Sequence, residues 1–236
     1  MTQQISIGIV DYGMGNCRSV ANALQSLNAP ELPVTLRTVI GSDRQLLKSV
    51  DALILPGVGA FDAAMWNLAR QRLDDPIREW VAADKPLLGI CLGMQLLATA
   101  SEEGSSCNGL GVIDARVIAL QPANGLCVPH VGWNEVESLA NIDEQGLFAG
   151  VPMGSHYYFD HSYHLICPPA IACATVNYGE RYVAAIATGS LFATQFHPEK
   201  SQRHGLRLLS NFIRHVSQAK LPAAWRRTAP AIRAFG

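Results

Sequence analysis

Residues 86–98 read Pro-Leu-Leu-Gly-Ile-Cys-Leu-Gly-Met-Gln-Leu-Leu-Ala, an apolar run that halts at one thiol and restarts with helical spacing. Gly89-x-Cys91-x-Gly93 is the thiol form of a nucleophile elbow. Small residues on both sides permit the strained turn that joins a strand to a helix and exposes the sulfur at the end of a sheet. The pattern therefore predicts strand, tight turn and helix in that order. A helix N-terminus aimed at the sulfur favours thiolate over thiol. On this motif alone, a catalytic thiol and a buried strand-end cysteine are about equally good readings.

A second motif shifts the balance. Phe192-Ala193-Thr194-Gln195-Phe196-His197-Pro198-Glu199-Lys200 ends an apolar run with an imidazole and, two residues on, a carboxylate. An imidazole there can take the proton of a thiol, and a carboxylate can hold it in the right tautomer and stabilise its cation. Pro198 fixes φ and stiffens the link, so both side chains can face one site. Together with the elbow, these residues predict a Cys91-His197-Glu199 triad.

The rest of the chain fits an α/β frame. Ile5–Val10, Val34–Val39, Asp51–Pro56 and the run before Cys91 read as strands, with helical patterns between them and glycine turns at their ends. That alternation indicates a parallel sheet covered by helices, and right-handed crossovers put the turns after Val10, Leu55 and Ile90 at one edge. Between Gly109 and Val183 short β-like runs (115–120, 133–136, 157–163, 172–176 and 183–186) are expected to extend the sheet as antiparallel hairpins. An amphipathic helix over Gly205–Val216 closes the domain. Residues 1–220 are expected to form one domain. The segment 221–236 carries three arginines, no acids and two prolines, and reads as a tail, loosely packed or docking on a partner.

A formal net charge of −1 and the lack of a basic cluster before the C-terminus argue against nucleic acid or an acidic membrane surface as the primary partner. No signal-peptide pattern and no uninterrupted apolar span occur, so the expectation is a cytoplasmic protein that does not engage membranes. The six cysteines form no Cys-x-x-Cys pair and no zinc-ligand spacing, so free thiols and no metal are expected. Gly13-x-Gly15 lacks the third glycine of a dinucleotide turn. Pro56-Gly57-Val58-Gly59 can offer backbone N–H groups beside Cys91, as a tetrahedral intermediate needs for its oxyanion, or can be a plain strand–helix turn.

Several blocks resemble a known family: Val10-Asp11-Tyr12-Gly13-Met14-Gly15-Asn16, Leu55–Phe61, Gly89–Leu97, His130-Val131-Gly132-Trp133-Asn134, His161-Ser162-Tyr163 and Gln195–Ser201. Over roughly residues 5–216 the chain is similar to class I glutamine amidotransferase domains, most of all those that serve as glutaminase subunits of imidazole glycerol phosphate synthases. The resemblance implies a flavodoxin-like α/β sandwich: a central, mostly parallel sheet with helices on both faces and an antiparallel extension. It implies that Cys91 attacks the side-chain carbonyl of L-glutamine, His197 shuttles the proton and Glu199 orients it. The oxyanion would meet N–H groups of Leu92 and the Gly57-Val58 turn. Gln95, Glu103, His161, Ser162 and Tyr163 would bind glutamine, Glu103 through its α-ammonium group. No cofactor is implied.

By the same resemblance, ammonia passes to a (β/α)₈-barrel cyclase partner in a heterodimer of histidine biosynthesis, docked at Asn16, Trp133, Asn134, Tyr158 and Lys200. The cyclase makes imidazole glycerol phosphate and an aminoimidazole carboxamide ribonucleotide. A paralogous subunit that amidinates a surface sugar is the alternative. Two residues depart from the family pattern. Asp160 replaces an apolar residue and would need a partner if it lined the pocket. Cys17 replaces a leucine and is expected to act as a small hydrophobe.

Overall fold

The computed structural model describes residues 3–27, 34–104, 107–123, 125–139 and 146–220, so the predicted tail at 221–236 lies outside the described residues. The N-terminal half runs β1 (Gln3–Val10), α1 (Cys17–Ser26), β2 (Val34–Gly41), α2 (Arg44–Ser49), β3 (Ala52–Gly57), α3 (Phe61–Arg70), α4 (Asp74–Ala82) and β4 (Leu87–Cys91). Next come α5 (Leu92–Gln95), β5 (Ala100–Ser101), β6 (Cys107–Asn108), β7 (Arg116–Ala119), β8 (His130–Ser138), β9 (His156–His161) and β10 (Tyr163–Ile166). The chain continues through β11 (Ala172–Tyr178), β12 (Glu180–Thr188) and β13 (Leu191–Thr194), then a 3-10 turn at Pro198–Lys200, and ends with α6 (Gln202–Lys220).

One nine-stranded sheet dominates, in the order β2-β1-β3-β4-β13-β12-β11-β8-β9. The first five strands are parallel and the last four antiparallel. Side chains alternate across it. Ile5, Ile7, Ile9, Ile54, Leu88 and Ile90 share one core with Val20 and Leu24 of α1 and with Leu208, Phe212 and Ile213 of α6. Leu53, Leu55, Leu87, Leu191 and Ala193 face the other way, onto Leu68 of α3, Ile77 and Trp80 of α4. A strand such as β3, buried at every position, needs helices on both sides, and both sides have them. Strand order reverses between β1 and β3, and the carboxyl ends of β3, β4 and β13 open onto that crevice.

Three expectations need correction. The 115–120 run does not extend the main sheet: β7 pairs with β10 and β5 in a separate four-stranded sheet of order β10-β7-β5-β6. The 157–163 run is two strands in two sheets, divided at Ser162, whose carbonyl accepts the Leu120 N–H. The helix after Cys91 has only four residues. It stops because the 110–112 loop donates its N–H groups to the carbonyls of Leu96, Leu97 and Ala98, which a continuing helix would need. Helix α2 was not foreseen, although Asp43 signals it by accepting the N–H groups of Gln45 and Leu46.

Candidate functional site

The site is built at three adjacent strand ends. Cys91 closes β4 with φ 54° and ψ −113°, a conformation that costs a non-glycine residue about 1–3 kcal/mol. The close fit of the elbow against β3 keeps it there. A Cβ at Gly93 would collide with the Leu55 carbonyl oxygen, and one at Gly89 would come within 2.9 Å of the Gly93 oxygen. Strand register sets Gly57 beside Cys91, which puts the Pro56–Gly59 turn next to the sulfur. On the other side β13 pairs Thr194 with Ile90 and so delivers Gln195 and His197. The four-residue α5 contributes little dipole, so the electrostatics at the sulfur come mainly from the groups around it.

Those groups are buried. His197 Nδ1 lies 2.8 Å from Glu199 Oε1, and both side chains are almost fully enclosed, at 3% and 2% exposure. Burial pushes the imidazole down, but hydrogen bonds to the Cys91 sulfur and to Glu199 outweigh it and raise the group to about 10. The proton therefore resides on the imidazole between sulfur and carboxylate. Backbone contacts hold the ring: the His197 N–H donates to the Tyr158 carbonyl, and Ser201 Oγ donates to the His197 carbonyl while accepting the Tyr158 N–H.

The predicted oxyanion donors differ in state. Leu92 starts α5 directly after the nucleophile. The Val58 N–H, however, donates to the Met14 carbonyl at 3.1 Å and is turned away from the site. Tyr12 Oη donates to the Pro56 carbonyl at 2.9 Å, so the β1–α1 loop grips this turn at two points.

Of the predicted glutamine-binding residues, Gln95 and His161 both meet the Tyr163 carbonyl. Gln95 Nε2 donates to the Tyr163 carbonyl and to Gln195 Oε1, and Gln195 Nε2 lies 3.8 Å from the Cys91 sulfur. His161 Nδ1 is 2.8 Å from the Tyr163 carbonyl, which can only accept, so that nitrogen carries the proton. His161 Nε2 then accepts from His130 Nδ1 at 3.3 Å, and His130 Nε2 faces Asn134 Nδ2. Burial lowers His161 to about 3 and His130 to about 4, so both stay neutral at neutral pH. Ser162 forms the bend between β9 and β10. Glu103 is half-buried; burial raises its carboxyl above the usual range, and its Oε2 accepts the Phe61 N–H at 3.1 Å.

Of the residues expected to face a partner, Asn16 and Trp133 are exposed, and Asn134, Tyr158 and Lys200 are partly buried. Trp133, half-exposed at 48%, stacks edge-on with Tyr158 at 6.2 Å, and Lys200 Nζ sits 5.1 Å above the Tyr158 ring. Asn134 Nδ2 also donates to the Asn177 carbonyl. Asn16 Oδ1 caps α1 by accepting the Ser19 N–H. The Asp160 side chain is exposed on the edge strand β9, and its backbone carbonyl lies 3.8 Å from the Cys91 sulfur. Cys17 is buried in the core as expected, and all six cysteines are free.

Four residues had no predicted role: Met14 through its carbonyl, Tyr12, His130 and Gln195. A backbone carbonyl leaves no trace in a sequence. Gln195 did leave one, since it stands two residues before His197 on the same strand-end run. Among the described residues no group of three His, Cys, Asp or Glu side chains is placed to hold a metal ion.

Known proteins of similar sequence and fold point to one family. The family model for glutamine amidotransferase class-I matches residues 8–216. The imidazole glycerol phosphate synthase subunit HisH of Helicobacter hepaticus is 43% identical, across 89% of this chain and 98% of that protein. The subunit of the same name from Symbiobacterium thermophilum is 46% identical, across 89% and 94%. Among solved structures, a glutamine amidotransferase superposes with a TM-score of 0.66 at 21% identity, over 89% of this chain and 98% of that one. The glutaminase domain of a Trypanosoma brucei CTPS with bound acivicin gives 0.58 at 18%, over 89% and 94%, which speaks to the fold alone.

Proposed function

The chain belongs to the class-I glutamine amidotransferase family and, within it, to the HisH subunits of imidazole glycerol phosphate synthase, and from that premise we propose how its residues divide the work. It is a glutaminase of histidine biosynthesis; the surface-sugar alternative is not favoured by its relatives. The observation that carries the catalytic assignment is the buried His197–Glu199 pair beside a thiol on a strained elbow. Cys91 Sγ attacks the carboxamide carbon of L-glutamine while its proton is held on His197 Nε2. The tetrahedral oxyanion is met by the Leu92 N–H and, once it turns inward, the Val58 N–H. Collapse breaks the C–N bond, and ammonia leaves with the proton from His197. Water, deprotonated by His197, then cleaves the glutamyl thioester to glutamate. Glu199 orients the ring throughout.

Gln95, His161, Ser162 and Tyr163 hold the substrate, and Glu103 meets its α-ammonium group. The partner is a (β/α)₈-barrel cyclase that docks over Asn16, Trp133, Asn134, Tyr158 and Lys200 and receives the ammonia. The Val58 N–H held by Met14 supports a resting state with one oxyanion donor withdrawn. Asn16 lies two residues beyond Met14, so a partner touching that loop can bias the turn. Residues 1–220 act as one domain, in the cytoplasm; no described helix is long and apolar enough to cross a membrane. The test is Cys91→Ala in complex with the cyclase. It is expected to lose glutamine-dependent synthesis and retain synthesis from ammonium salts. Glutamine-dependent synthesis at the wild-type rate would overturn the assignment.

A further inference from the structure

The oxyanion turn is fixed from two directions. Upstream, Tyr12 Oη holds the Pro56 carbonyl at 2.9 Å. Downstream, the turn runs straight into α3, whose N-cap residue Ala60 has no side chain able to cap the helix. Asp62 Oδ1 accepts the Ala63 N–H within the first turn, but the Phe61 N–H has no acceptor in its own helix. The missing cap comes from 42 residues away: Glu103 Oε2 accepts the Phe61 N–H at 3.1 Å. Glu103 is presented rigidly, since its own N–H donates to the hydroxyl of buried Ser101 and the preceding N–H, of Glu102, to the Val117 carbonyl. Val58 and Gly59, the units that must move, lie between these two anchors, and Gly59 supplies a φ of +100° that other residues rarely adopt.

We propose that Glu103 is a positioning residue for the oxyanion turn: by capping Phe61 it anchors the downstream end of the turn with the same carboxylate that receives the substrate's α-ammonium group. This rests on the glutaminase reading above and deepens it. One carboxylate oxygen would set where glutamine lies, and the other where its oxyanion donors lie, so substrate and turn share a reference point. Burial makes the charge on Glu103 less favourable when nothing cationic is near, which an arriving ammonium group would relieve.

Two substitutions separate the roles. Glu103→Gln keeps an oxygen for the Phe61 N–H and loses the charge; Glu103→Ala loses both. Glutamine hydrolysis would be followed in the complex with the cyclase, resolving KM from kcat. Both variants are expected to raise KM about tenfold or more, since a charged hydrogen bond is lost in each. Only Glu103→Ala is expected to lower kcat, by about tenfold, the equivalent of ~1.4 kcal/mol and within the range for a lost helix cap. Amide exchange measured by mass spectrometry over residues 58–62 is expected to quicken in Glu103→Ala and stay slow in Glu103→Gln. Thermal unfolding of both variants would register any global loss of fold, and the exchange comparison holds independently of turnover. Equal kcat in the two variants, or unchanged exchange in Glu103→Ala, would overturn the positioning role while leaving the glutaminase standing. Absence of glutamine hydrolysis in the wild-type complex would instead remove the reading on which it rests.

Discussion

Gly93→Ala is the sharpest probe of how the nucleophile is held. Gly93 is the second residue of α5, buried against β3. An added Cβ would collide with the Leu55 carbonyl oxygen, come within 2.8 Å of the Leu55 carbonyl carbon and within 3.4 Å of that of Pro56. Backbone atoms cannot swing aside as a side-chain tip can, so α5 and β3 must separate by about an ångström. Forcing a methyl into a packed interior costs about 1–3 kcal/mol. In a chain of this size, that lowers Tm by roughly 2–12 °C. The effect on turnover is larger than the stability loss implies. The same displacement moves the Cys91 sulfur and the Pro56–Gly57 turn apart, and a shift of about 1 Å at a reacting centre can cost roughly a hundredfold in rate. Calorimetry and steady-state glutamine hydrolysis measured on one preparation give both numbers. A variant with wild-type kcat and Tm would mean that the elbow does not press on β3, and the account of its strain would fall.

Other outcomes follow from the site. His197→Asn is expected to lower glutamine turnover about as far as Cys91→Ala, Glu199→Gln noticeably less, and the double variant no further than His197→Asn, because triad members act as a unit; strictly additive losses in a double-mutant cycle would refute that unity. The pH dependence of stability has two limbs. His197, raised to about 10 from its ordinary 6.5, contributes stability that is full below pH 6.5 and is lost as pH climbs toward 10. His161 and His130, lowered to about 3 and 4, contribute above pH 6.5 and lose that contribution as pH falls below it, since the unfolded chain then binds more protons. Urea midpoints from pH 4 to 10 would trace this dome, and His161→Gln should shallow its acid limb; an acid limb of unchanged steepness would contradict it. The isolated chain is expected to hydrolyse glutamine slowly and to gain roughly 10²–10³ when the partner turns the Val58 N–H inward; equal rates with and without partner would exclude this gate.

How much of this was legible in the sequence follows the range of the interactions. Period-two and period-3.6 patterns act locally, and they placed β1, β3, β4, β13, α1, α3 and α6. Glycines that permit one strained turn, and a histidine and a carboxylate two residues apart, pointed to Cys91, His197 and Glu199, which the structure brings together. What escaped were contacts between distant segments. The Tyr157–Tyr163 run looks continuous, but Ser162 breaks it where the chain passes from one sheet to the other. The helix after Cys91 was overread because the loop that takes its carbonyls arrives from residues 110–112. Whether Asp160 lines the pocket was not legible, because residue identity alone does not reveal which face of an edge strand meets water. The Val58–Met14 bond joins two backbone atoms, and no side-chain pattern encodes it.

The central claim is that glutamine is cleaved through a covalent intermediate on Cys91. Wild-type complex mixed with glutamine, quenched in acid and digested with pepsin, should yield a glutamyl adduct on the peptide carrying Cys91, and none on Cys17, Cys107, Cys127, Cys167 or Cys173. Glutamine turnover with the adduct on a different residue, or undiminished in Cys91→Ala, would contradict it.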